Sequence, residues 1–358
     1  MITTRLAVPR GRLSRHATAG ACAALATAGL ATAALFGPVP AQARTAAQAA
    51  APARAGASAA ATPPGREWAA FAYYPPKHEL VLFGGRRPGT IFGDTWTRGG
   101  STWTQQHPTR SPSARTGASM VYDPASNQLL LFGGSATTGT GFSSQTWTWN
   151  GSNWTLLHPA TSPPGREDQQ MAYDAATQTV ILFSGFHGTG YWDDTWSWNG
   201  TTWTKLTPPT PPMGRDSAAF VYDPATSQVI LFGGFRGSGF SPGDTWAWTG
   251  TAWTQLSPAH SPGIEVFARQ AAYDTASNQL LAFGGDAGHS TFLNTTWTWA
   301  GTDWKRLSPA TSPPPRAYGA MTFDSATGQV VLFSGSENAL TSFPTTTWAW
   351  NGSTWSQI

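Results

Sequence analysis

Residues 218–256 read AAFVYDPATSQVILFGGFRGSGFSPGDTWAWTGTAWTQL. Four runs in this stretch have the composition and length of strands: Ala218–Tyr222, Gln228–Phe232, Thr245–Trp248 and Ala252–Leu256. The second run is apolar at Val229, Ile230, Leu231 and Phe232 in succession. A strand with no polar face is buried on both faces. Between the first two runs, Tyr222-Asp223-Pro224 supplies a side chain that caps its own turn and a proline that presets the next φ. Gly250 sits in the short loop between the third and fourth runs, as a tight hairpin requires.

The same pattern recurs from residue 63 to the end of the chain. The fourth run carries one tryptophan per unit, at Trp103, Trp154, Trp203, Trp253, Trp304 and Trp355, with spacings of 49 to 51 residues. The apolar run recurs as LVLF (80–83), LLLF (129–132), VILF (180–183 and 229–232), LLAF (280–283) and VVLF (330–333). A β-rich repeat of about fifty residues points to propeller blades. One four-stranded sheet of this length cannot bury both faces alone, whereas six stacked around an axis can. The expectation is an all-β, six-bladed β-propeller of four-stranded antiparallel blades. Its first strand should lie near Arg66–Tyr73 and its last near Thr354–Ile358, and the ring should close by packing between whole blades.

Upstream, residues 1–43 carry Arg5, Arg10, Arg12 and Arg15 and no acid, then the apolar run Ala17–Phe36 and an Ala41-Gln42-Ala43 cleavage pattern. This reads as a secretory signal peptide cleaved after Ala43, with a retained anchor as the rival reading. Residues 44–62 read as an Ala-rich flexible spacer. Cys22, the only cysteine, lies inside the leader, so the mature chain has no disulfide and no thiol chemistry. Without the four leader arginines, 17 basic residues face 18 acidic ones, which argues against nucleic acid as a partner. A secreted monomer without stable membrane insertion is expected.

The units resemble those of the kelch-repeat family. The marks are the glycine pair after the second strand (Gly84-Gly85, Gly133-Gly134, Gly233-Gly234, Gly284-Gly285), the fourth-strand tryptophan and an arginine opening the next first strand (Arg66, Arg115, Arg166, Arg215, Arg316). Units three and six depart with Ser184-Gly185 and Ser334-Gly335. The resemblance implies a propeller over residues 63–358 and leaves function open, because kelch propellers include oxidases, isomerases and pure binding platforms. The copper-radical oxidases that it brings to mind need a cysteine cross-linked to a tyrosine. The mature chain offers none, so no such activity is expected.

Several residues are candidates for chemistry. Tryptophans two apart on the third strand, such as Trp196 and Trp198, share a face and suit interblade packing better than a sugar platform. The five arginines either converge on the loop face or bond to neighbouring carbonyls and acids, with Glu67, Glu167, Asp168 and Asp216 close in sequence. In unit five an insertion puts Glu265 or Val266 at that position, with Arg269 further on. Loops between the second and third strands vary most, and such loops often carry function. They hold Arg86 and Arg87; His187, Tyr191, Trp192, Asp193 and Asp194; Arg236 and Phe240; Asp286 and His289; Glu337 and Asn338. Asp194 reads as structural, because Asp94 and Asp244 occupy the same place before Thr-Trp. The histidines lack ligand spacing, and neither a phosphate loop nor a nucleophile elbow is present, so neither metal nor cofactor is expected.

The expected function is a binding module for a glycan or protein through the loop face. The expected ligand is anionic and held by Arg66, Arg115, Arg166, Arg215 and Arg316, with His187, Trp192, Asp193 and Arg236 beside them. The alternative is a carbohydrate-active enzyme working in the axial funnel.

Overall fold

The computed structural model describes residues 61–358 except 138, 238–242, 264–268, 289–290 and 338–340. Residues 1–60, which hold Cys22, the expected leader and most of the expected spacer, and Glu265, Val266, Phe240, His289 and Asn338 lie outside the described residues. The described chain forms six antiparallel blade sheets, each from one contiguous segment with its four blade strands in sequence order. Thr140–Phe142 adds a short strand to blade two, and Arg86–Arg87 pairs with Thr90–Ile91 as a separate ribbon. Blade one comprises Ala70–Tyr74, Glu79–Phe83, Thr95–Gly99 and Thr102–Gln106, and blade six ends on Thr347–Trp350 and Trp355–Gln357. Among the described residues, no blade borrows a strand from the other end of the ring. The first strand starts later than Arg66 because the chain turns at Trp68 (φ 52°) before joining the ladder at Ala70.

The apolar second strand behaves as its composition requires. In blade one, Leu80 and Leu82 face blade six while Val81 and Phe83 face blade two, and all four are fully buried. Six apolar clusters result, one between each pair of adjacent blades. The fourth-strand tryptophan crosses each seam. Its ring packs on the preceding blade's second-strand phenylalanine, as with Phe132 and Trp203 at 5.3 Å, and its indole N–H donates to that blade's third-strand threonine, as from Trp203 to Thr146 at 2.9 Å. The closing seam repeats this arrangement, with Trp103 on Phe333 (5.0 Å) and donating to Thr347 Oγ1 (3.2 Å). Each buried indole removes roughly 200 Å² from water, on the order of 5 kcal/mol gross.

Two belts of backbone hydrogen bonds run around the axis. In one, at five of the six seams the second residue of the pair, a glycine, donates to the carbonyl of the next blade's opening arginine, as from Gly134 to Arg166 (2.8 Å). Across the closing seam, Gly335 donates to Arg66 (3.0 Å). In the other, residues in the left-handed region two positions after that arginine link in series: Ser217 to Asp168, Asp168 to Gly117, Gly117 to Trp68, and Trp68 to Tyr318. Ser184 and Ser334 take left-handed conformations where other units have glycine. Each compensates by accepting the next arginine's N–H on its hydroxyl, from Arg215 at 2.6 Å and Arg66 at 2.7 Å.

Candidate functional site

The five recurrent arginines are buried, with 0–3% of their surface exposed. Arg166 illustrates where their donors go. Its Nε donates to the Pro164 carbonyl (3.0 Å), Nη1 to the Ser184 carbonyl (2.9 Å), and the two terminal nitrogens clasp Asp194 at 2.5 and 2.9 Å. Arg66 clasps Asp94 and Arg215 clasps Asp244 in the same way. Burial alone would raise these three carboxyls, but the arginine fork and the N–H of Trp96, Trp196 or Trp246 hold them below the ordinary value. Arg316 pairs with Glu337 (2.7 Å). Arg115 has no acid partner and bonds to neutral oxygens of Ser113, Gly133, Ser143 and Gln145. Burial lowers its guanidinium to about 10.

The donors of these arginines are thus spent within the blades. The fork that would grip a ligand carboxylate already grips the blade's own aspartate, 28 or 29 residues on. Asp194 is structural, as its recurrence implies. Trp192 is not a free stacking platform either: His187 lies 4.6 Å from its ring and the Arg166 guanidinium 5.3 Å. Asp193 and Arg236 are exposed at the loop surface, and His187 and Trp192 are half-buried.

A side chain spans the axis on this face. Arg269, displaced by the insertion in unit five, reaches across to Asp168 (2.8 Å) and to the Ala118 carbonyl (3.0 Å). The chamber beside it measures about 120 Å³. What the loops do offer is a strip of half-buried aromatic rings across three blades. Phe142 of blade two meets Phe186 edge-on at 5.8 Å, Phe186 lies 5.4 Å from Tyr191, and Tyr191 meets Phe235 of blade four at 6.4 Å. Gly188 leans on this strip, where a Cβ would come within 3.1 Å of the Phe142 ring. The sequence reading picked out Tyr191 but not its neighbours. Aromatic residues at Phe186 and Phe235, just after the glycine pair, were the available signal.

A rigid ring of repeats with variable loops on one face is a scaffold for recognition. Comparison with known families makes this specific: the model described as the KLHDC2/KLHL20/DRC7 Kelch-repeats domain matches residues 77–262, just over half of the chain. The chain belongs to the kelch-repeat family, whose propellers generally bind protein partners. No curated protein matches the chain as a relative.

Proposed function

We propose that this is an exported binding module whose loop face takes a protein partner on the aromatic strip of blades two to four. The observation that carries the reading is the continuous run Phe142–Phe186–Tyr191–Phe235, half-buried and bordered by the exposed charges of Asp193 and Arg236. Aromatic centres with a polar rim are the common anatomy of protein interfaces. The glycan reading loses support with Trp192 occupied, and an axial enzyme site loses it with the funnel crossed by Arg269.

The test is affinity capture from the extracellular fraction, comparing the native protein with a Phe186→Ala/Tyr191→Ala double variant of unchanged thermal midpoint. A partner retained by the first and lost by the second is the expected result; identical captured sets would sink the reading. Export by the N-terminal segment rests on its basic–apolar–small pattern. It is tested by sequencing the N-terminus of protein recovered from the medium, which should begin at Arg44.

A further inference from the structure

The opposite end of the axis is built differently. Five tyrosines and a phenylalanine stand at equivalent positions near the end of the first strands: Tyr73, Tyr122, Tyr173, Tyr222, Tyr273 and Phe323. All are half-buried, and together they line a vestibule of about 380 Å³, within the range of small-molecule pockets. Two residues earlier on each strand comes its floor, formed by Phe71, Met120, Met171, Phe220 and Met321, with Ala271 as the one small member. The same residues line the 120 Å³ chamber beyond, where Arg269 reaches across to Asp168.

The charge around the cup is one-sided. One residue after the rim, five units carry a buried aspartate: Asp123, Asp174, Asp223, Asp274 and Asp324. Each caps its own turn, accepting from the N–H two residues on at 3.0 Å. The field reaches the rim: burial first, and then Asp123 and Asp174, raise the Tyr173 hydroxyl, as Asp223 and Asp274 do for Tyr273. Two cations lie nearby. Lys77 donates to the Gly151 carbonyl, and Arg98 is buried in the closing seam, within reach of Asp324's field.

We propose that this vestibule binds a small organic cation with an apolar body, of the alkyl- or aryl-ammonium class, its charged head among the tyrosine faces and its body on the methionine–phenylalanine floor. Tyrosine rings attract cations through their negative faces, and desolvation strengthens that attraction. A cup with low-dielectric walls concentrates the field of the aspartates behind it. The site is independent of the loop-face reading and lies at the other end of the axis.

The test is calorimetry on the whole propeller with choline, its uncharged isostere 3,3-dimethylbutanol, benzyltrimethylammonium and benzenesulfonate. Choline should bind at least tenfold tighter than the isostere, the benzyl cation tighter than choline, and the sulfonate not at all. Tyr173→Leu/Tyr222→Leu should weaken the cations by tenfold or more. As a second variant, Asp174→Asn/Asp223→Asn keeps the turn caps and removes two charges. It should weaken the cations severalfold and leave the isostere unchanged. Equal affinity for choline and its isostere, binding of the sulfonate, no binding at millimolar concentration, or binding only of a lysine peptide would each overturn the proposal.

Discussion

The two ends of the axis are made from the same strands and handle charge in opposite ways. At the loop end, formal charges are matched at hydrogen-bond distance: Arg66 with Asp94, Arg166 with Asp194, Arg215 with Asp244, Arg269 with Asp168 and Arg316 with Glu337. At the other end, five aspartates cap backbone turns behind a rim of five tyrosines and a phenylalanine, and of these aspartates Asp324 alone has Arg98 within its field. A charged residue that recurs in five of six repeats is therefore no guide to where a ligand goes. What matters is whether its partner recurs with it.

The contrast is most directly broken by Arg166→Ala, which strands Asp194 and the Ser184 carbonyl in a buried site. Removing one partner of a buried pair costs about 3–5 kcal/mol, to be read from the denaturant midpoint. Arg115→Ala strands no carboxylate and should cost distinctly less. Equal losses would mean that packing, not pairing, holds these side chains.

A pH titration of stability should next reveal the clasped aspartates in its acid limb. Asp94, Asp194 and Asp244 have folded values below the ordinary 3.8, so their contribution is complete above that value. It is lost as pH falls through the folded values. Tyr122, Tyr173 and Tyr273 have folded values above the ordinary 10.0, chiefly through burial. Their contribution should decline as pH rises above 10. An acid limb that survives Asp94→Asn/Asp194→Asn/Asp244→Asn unchanged would contradict this assignment.

Smaller effects sharpen the picture. Trp203→Phe keeps an aromatic ring against Phe132 but deletes the indole donor to Thr146, for about 1 kcal/mol from the hydrogen bond, plus lost packing. Smallest of all should be Tyr222→Phe. Its half-exposed hydroxyl does not secure the fold, so thermal unfolding should move by no more than about 0.5 kcal/mol equivalent.

Blade number, strand order and the buried second strand were legible because they follow from local pattern: continuous apolar runs, one tryptophan per unit and turn residues at fixed offsets. In blade four the second and third strands, Gln228–Phe232 and Thr245–Trp248, match their sequence-based bounds. The fate of the arginines was harder to read. A guanidinium's partner is set by how the chain folds back 28 residues later, and the first and third strands are not neighbours within a blade. The clue was nonetheless present, since Asp94, Asp194 and Asp244 occur in the units whose arginines they clasp. Arg269's path across the axis was not legible, because a one-residue insertion shifts register without stating a direction. The tyrosine ring was visible as Tyr-Asp-Pro but read only as turn chemistry. Nothing in a linear repeat shows that six equivalent positions meet at one mouth.

The closing seam carries the same tryptophan latch and the same two backbone belts as the seams between blades one and four. In its contacts the join between blades six and one is therefore one more interblade seam. Only Arg98, standing where the other blades place a second tryptophan against the latch, records that this seam was the one left open. A ring joined in this way can gain or exchange whole blades as modules, so each loop is free to change its chemistry without renegotiating the architecture beneath it.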